Sequence, residues 1–186
     1  MEAPFDMLVI NVPDFPNRVF KITNYGAIAG AKVKNTKAIR RAIEACNNAD
    51  GGKVLVPAGV WLTGKIHLKS NVNLQIAEGA ELLFNDDPND YLPAVQSSWE
   101  GMECYNYSPL IYAFDCENVG LTCKGTIKAK LDTWQIWYAR PPAQMEVLKN
   151  LYTMAVKAVP VIERQIAFGE NHFRPQFIQF NGAKIF

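Results

Sequence analysis

Between Gly51 and Phe84 the chain is cut into apolar runs too short for any helix, and this stretch restricts the fold more than any other. The runs are Val54-Leu55-Val56, Val60-Trp61-Leu62, Ile66-His67-Leu68, Val72 to Ile76 and Leu82 to Phe84. Turn signals separate them at Pro57-Ala58-Gly59, Gly64, Ser70-Asn71 and Glu78-Gly79. From Asn71 to Ile76 the residues alternate, with Val72, Leu74 and Ile76 on one face and Asn71, Asn73 and Gln75 on the other, the period of a half-buried strand. Strands this short suit a sandwich or a coil that turns a corner at each break, and the spacing favours the coil.

What precedes the stretch reads as the end of such a coil. Arg18 to Tyr25 is a first strand, with Val19, Phe20 and Ile22 available for burial. A helix follows, with Asn35 or Thr36 as N-cap and Ile39, Ala42, Ile43 and Cys46 at the spacing of one buried stripe; Arg40, Arg41 and Glu44 fall outside it. Its exit, Asn47 to Gly52, supplies glycine for a left-handed residue. A solenoid needs such a cap, because its first coil otherwise exposes an apolar cross-section and unpaired strand edges.

Beyond Phe84 the period breaks. Residues 85–108 read as a loop thrown out from the coil, and the strands resume at Leu110 to Phe114 and Val119 to Thr122. After Thr126-Ile127 a second excursion, 131–174, holds Trp134, Trp137 and Tyr138. A helix then runs from about Pro142 with Met145, Leu148, Leu151, Tyr152 and Ala155 on one side, ending near Pro160. The chain re-enters a strand at Gln176 to Phe180, and its last two residues are apolar. The expected organisation is one domain: an extension (1–17), a first strand and capping helix (18–52), and coils with two excursions (53–186), open at the C-terminal end and able to self-associate there.

Composition excludes some classes. No apolar run approaches the roughly 18 residues of a membrane-crossing helix, so no membrane partner is expected. A net charge of +1 gives no general attraction to nucleic acid. Cys46, Cys104, Cys116 and Cys123 show no C-x-x-C pair and no histidine at ligand spacing, so no metal or other cofactor is expected. Cys46 reads as core, and disulfide pairing among the others is left open. The first residues contain no signal-peptide pattern, which leaves two readings: a protein that stays inside, or a chain without its leader.

A series of short motifs resembles a known family. In order these are Ile22-Thr23-Asn24-Tyr25-Gly26-Ala27, Asn35-Thr36-Lys37-Ala38-Ile39, Gly51-Gly52-Lys53-Val54, Val56-Pro57-Ala58-Gly59, Leu62-Thr63-Gly64, Leu68-Lys69-Ser70-Asn71-Val72-Asn73-Leu74, Asp90-Tyr91-Leu92-Pro93, Trp99-Glu100-Gly101, Tyr105-Asn106-Tyr107-Ser108-Pro109, Gly125-Thr126-Ile127 and Arg174-Pro175. Together they resemble the amino-terminal portion of glycoside hydrolase family 28, the polygalacturonases. The resemblance implies an all-β fold, a right-handed, single-stranded parallel β-helix of the pectin lyase-like kind, acting on the acidic plant polysaccharide galacturonan. It also implies a secreted or periplasmic protein. Two segments depart from the family pattern: Ile28 to Lys34 replaces an Asp/Gly-rich turn, and Lys128-Ala129 stands where an Asp-Gly is usual, which puts the turn geometry in question.

The family hydrolyses by inversion, with carboxylates roughly 6.5–9.5 Å apart, in motifs reading Asn-Thr-Asp, Asp-Asp, Gly-His-Gly and Arg-Ile-Lys. None occurs here in its context. Asp86-Asp87 precedes Pro88 and reads as a turn, so no catalytic residue is assigned. The candidate substrate contacts are Trp99, Trp134 and Trp137, able to stack on sugar or pack in a core. Glu100 and Glu103 are an acid/base pair or loop contacts to hydroxyls. His172 and Arg174 complete the set, the guanidinium able to fork onto a uronate carboxylate or to make a structural ion pair. His67 reads as an outer-face residue without a role. Two functions follow: the amino-terminal segment of a galacturonan hydrolase, inactive without further coils, or a non-catalytic solenoid that binds acidic polysaccharide or a protein.

Overall fold

The computed structural model describes residues 12–130, 132–134, 139–167 and 173–184. Short strands stack in parallel into three sheets. The first orders β1 (Val19–Lys21), β2 (Gly52–Val56), β5 (Val72–Ile76) and β10 (Gly120–Cys123). The second holds β3 (Gly59–Thr63), β6 (Ala80–Phe84) and β11 (Thr126–Ala129), and the third β4 (Ile66–His67), β9 (Ile111–Phe114) and β12 (Ile178–Asn181). The chain visits the three sheets in turn, so β2-β3-β4, β5-β6-β9 and β10-β11-β12 are successive coils. A partial coil precedes them, made by β1 and a parallel bridge from Gly30 to Trp61.

Register places like residues over like. Phe20, Val54, Leu74 and Leu121 form one inward ladder, Trp61, Leu82 and Ile127 a second, and Ile66, Ile111 and Ile178 a third. Val54, Leu74, Leu82 and Ile111 are wholly buried, because a coil covers them on each side. Ile178, on the last described rung, is 42% exposed.

Helix α1 (Thr36–Asn48) buries Ala38, Ile39, Ala42, Ile43 and Cys46, the expected stripe. Its termini work differently from the expectation. Neither Asn35 nor Thr36 caps the helix: the Asn35 amide accepts from Ile28 N and donates to the carbonyls of Ile28, Val33 and Leu62, while Thr36 Oγ1 accepts from Gly64 N. The polar side chains are spent on fastening the departing loop. At the exit, Gly51 N donates to Cys46 O and Asp50 N to Asn47 O, a Schellman pattern whose left-handed residue is Asp50 (φ 58°) and not glycine. Gly51 (φ 93°) is required for another reason as well, since a Cβ there would sit 2.6 Å from Asn71 Cβ of the next coil.

Other expectations also change. The first strand stops at Lys21 and continues as a 3₁₀ turn, Ile22–Tyr25. The extension crosses the outer face of the first sheet, where Asn118 Nδ2 donates to Asp14 O (2.7 Å), and Asn73, on the polar row of β5, is only 5% exposed. Lys128-Ala129 does not form a turn: Ala129 pairs with Phe84 and extends β11, so no positive φ is needed. All four cysteines are free thiols.

Both excursions leave the same corner, between the second and third sheets. The first contains a 3₁₀ turn at Pro88–Tyr91 and an antiparallel hairpin of β7 (Val95–Trp99) and β8 (Met102–Asn106), where the sequence suggested only a loop. Asp87 caps the 3₁₀ turn by accepting from Asn89 N, in keeping with the turn reading of Asp86-Asp87. The hairpin lies over the third sheet's outer face, with Ser97 Oγ donating to Gln179 Oε1 (2.7 Å) and the Tyr112 hydroxyl to Gln96 O. The second excursion contains helix α2 (Pro142–Val156) and returns alongside β8 through a Tyr105–Gln165 bridge. In α2 the buried residues are Gln144, Val147 and Leu151; Met145 and Tyr152, expected beside Leu151 on one side, are 41% and 47% exposed. Periodicity finds an apolar stripe, but this helix carries two, and only packing selects which is covered.

Candidate functional site

The two excursions enclose a cavity of about 610 Å³ at the corner from which they depart. The hairpin supplies Trp99 and Glu100, the second excursion Trp134, Arg140 and Gln144, and the approach to β12 supplies Arg174. Leu110 and Ala129, next to or within the coil strands, line its base.

Glu100 and Gly101 join β7 to β8 with φ of 49° and 83°. Two successive left-handed residues make the tight turn whose twist matches a hairpin, and it carries Glu100 to α2, where Oε2 accepts from the Tyr152 hydroxyl at 2.9 Å. Trp99 packs flat against Phe173 (centroids 4.3 Å apart, 9° between planes). The Arg174 guanidinium carbon lies 5.5 Å from the Trp99 ring centroid, a cation–π arrangement. No carboxylate among the described residues is within ion-pair distance of Arg174, so the structural ion pair is not formed, and Arg140 likewise has none.

Gln144 is buried, and its Oε1 has no hydrogen-bond partner among the described residues. A buried acceptor left unpaired is costly; other atoms of Gln144 contribute to the cavity wall. Trp134, 6% exposed, is wedged edge-on against Tyr91 (6.0 Å) and Tyr107 (5.9 Å). It is therefore chiefly a core residue supporting the corner.

Of the residues singled out in the sequence, Trp99, Glu100, Trp134 and Arg174 converge on this cavity. Glu103 does not: it lies on β8 and accepts from Gln96 Nε2 (3.1 Å), away from the cavity wall. Trp137 and His172 lie outside the described residues. Arg140 and Gln144 were missed, although a basic residue at a Pro-Pro helix entrance is visible in the sequence; nothing local distinguishes a buried Gln144 from an exposed one.

His67 lies on the outer face of the third sheet, as expected, but it is engaged there. Its Nε2 is 2.7 Å from Ser108 Oγ and its ring meets Tyr112 edge-on. Partial desolvation of the ring against these neighbours, reinforced by the Lys65 charge, lowers its pKa to about 4, although the residue as a whole keeps exposed surface. Burial pushes the Cys104 thiol up to about 12, so it is a poor nucleophile. Among the described residues no group of three or more His, Cys, Asp or Glu is placed to hold a metal ion, and no helix is long and apolar enough to cross a membrane.

Comparison with known proteins fits this geometry. No family model matches the chain. An exo-poly-alpha-D-galacturonosidase of Dickeya chrysanthemi is 45% identical over 74 residues, 40% of this chain and 12% of that protein. The crystal structure of an exopolygalacturonase from Thermotoga maritima superposes with a TM-score of 0.81 at 38% identity, covering 95% of this chain and 43% of the other. A family 28 exopolygalacturonase of Yersinia enterocolitica matches with a TM-score of 0.52 at 33% identity, over 60% of this chain and 21% of the other. The chain thus spans less than half the length of each of these relatives. Its stacked coils are those of a right-handed parallel β-helix. Within that class the chain is polygalacturonase-like, a glycoside hydrolase family 28-like segment.

Proposed function

We propose that this chain forms the amino-terminal portion of an inverting galacturonan hydrolase, and that the corner cavity binds a galacturonate unit of the polymer. The observation that carries the reading is the presence in one cavity of two arginines, Arg140 and Arg174, that form no ion pair among the described residues. A uronate carboxylate complements the planar forks of the arginines. The Trp99 ring and the apolar base offer a surface for the C–H face of a pyranose. Glu100, the one carboxylate on the wall among the described residues, is engaged by Tyr152 and takes a hydroxyl donor where the sugar reaches it.

Hydrolysis itself is assigned to none of these 186 residues, since the Asn-Thr-Asp, Gly-His-Gly and Arg-Ile-Lys motifs that the resemblance implies are absent from the sequence and its Asp-Asp, Asp86-Asp87, sits at a turn. The purified chain is therefore expected to release no reducing ends from polygalacturonic acid. Binding is tested by calorimetric titration with digalacturonate against digalactose. Digalacturonate should bind and its neutral counterpart should bind at least about tenfold more weakly, with Arg174→Gln erasing the difference. Equal binding of the two sugars, or an unaffected Arg174→Gln variant, would falsify the reading.

A further inference from the structure

The cavity does not end at its mouth. Met145 and Leu148 belong both to its wall and to a second, shallower groove of about 440 Å³ that continues along the outward face of α2. That groove is lined by Tyr152 and Val156, and by the ammonium-bearing Lys149 and Lys157. Val156 is 87% exposed and Tyr152 47% exposed, so this is the uncovered apolar stripe that the burial of Val147 and Leu151 leaves on the opposite side of the helix.

We propose that this face of α2 is an extension of the cavity that holds the neighbouring units of a long galacturonan chain. The inference rests on the uronate reading of the cavity and adds a second, length-dependent contact surface. Three observations select an acidic polysaccharide as the occupant. The groove is continuous with the cavity through two shared side chains. Among the described residues its lining contains two lysines and no carboxylate, and the only carboxylate on the joint wall, Glu100, is held by Tyr152. Its floor combines an exposed aromatic ring with methylene and methyl groups, which suits the amphipathic faces of pyranose rings better than a fully charged ligand. From Met145 to Val156 the helix rises about 16 Å, longer than one sugar ring, so the surface is usable only by a polymer whose end already occupies the cavity. Two linked contacts of this kind reinforce each other through effective concentration, without either being strong alone.

The test compares digalacturonate with a long oligogalacturonate on the whole chain and on a Lys149→Gln/Lys157→Gln variant, by calorimetry at low and moderate salt, with circular dichroism as a folding control. The long ligand should bind the unaltered chain more tightly than the short one, and the variant should lose about tenfold for the long ligand alone, with a weaker salt dependence. If the short ligand binds but added length brings no gain, or the variant weakens both equally, the groove is not a polysaccharide surface while the cavity reading stands. If neither ligand binds, the cavity reading fails and this inference with it. Sedimentation that shows a dimer broken by Val156→Ser, with no response to ligand length, would assign the face to a second copy and overturn the proposal.

Discussion

The hydroxyl of Tyr152 donates a 2.9 Å hydrogen bond to Oε2 of Glu100, joining the helix of one excursion to the hairpin turn of the other across 52 residues of sequence. Because the carboxylate accepts the phenolic proton and opposes a second negative charge, the Tyr152 pKa is raised above the tyrosine norm. Glu100→Gln should bring the phenol's titration back down, read as phenolate absorbance at alkaline pH. The same substitution should speed amide exchange at the Glu100-Gly101 turn and leave global unfolding unchanged, since the Tyr105–Gln165 bridge still attaches the excursions. Unaltered titration would mean that the contact does not exist in solution.

Leu74 occupies the middle of an inward ladder between Val54 and Leu121 and is wholly buried. Leu74→Ala should cost about 2–5 kcal/mol, because covered rungs cannot collapse into the space. Ile178→Ala, on a rung that is 42% exposed, should cost well under half as much. Denaturant midpoints of the two variants check the ordering, and equal losses would contradict the stacking.

Asp50 and Gly51 predict opposite outcomes for neighbouring positions. Asp50 adopts φ 58° with no steric need for its side chain, so Asp50→Gly should stabilise by up to about 1 kcal/mol. Gly51→Ala places a methyl against Asn71 at φ 93° and should destabilise by more than about 1 kcal/mol. Thermal melting of both variants settles the pair.

The ring of His67, with its pKa lowered to about 4, stays neutral in the fold where an unfolded histidine would charge. Above pH about 6.5 both states are neutral and the residue adds no pH dependence. As pH falls from about 6.5 toward about 4, the unfolded chain takes up a proton that the folded one does not, and stability declines. The part of the ring open to water limits the loss to about 1 kcal/mol. His67→Asn should flatten the stability curve over that window, and an unchanged slope would show that the fold does not desolvate the ring.

The exposed end of Lys34 carries two acidic partners, Asp90 at 2.6 Å and Asp87 at 3.5 Å, and links the loop before α1 to the first excursion. Exposed pairs of this kind contribute little, so Lys34→Met should shift stability by less than about 1 kcal/mol. A much larger loss in urea titration would mean that the loop anchors the corner.

The short strands, the helix before them and the breaks in their period were legible in the residues, because each rests on local information, while their parallel stacking was an expectation carried by the family resemblance. An apolar run of three residues, or a five-residue alternation, between turn signals admits a strand and no helix, and the buried stripe of α1 follows from its own spacing. Trp99, Glu100 and Arg174 were likewise visible as the chemistry-bearing residues of the excursions. What the residues left undecided was everything that depends on which surface meets which. Asn35 looked like a cap because its type favours caps, yet the loop before α1 and Leu62 of β3 together offered it four partner groups at once. Gln144 is unremarkable in sequence and becomes an orphan acceptor only when α2 settles onto the corner. Helix α2 holds apolar residues on two sides, and where it packs against β8 Val147 and Leu151 are buried while Tyr152 and Val156 are left to solvent. Spacing along a chain determines what each element can bury. The choice among equally apolar faces is made by contacts between residues far apart in sequence, and those exist only in the folded molecule.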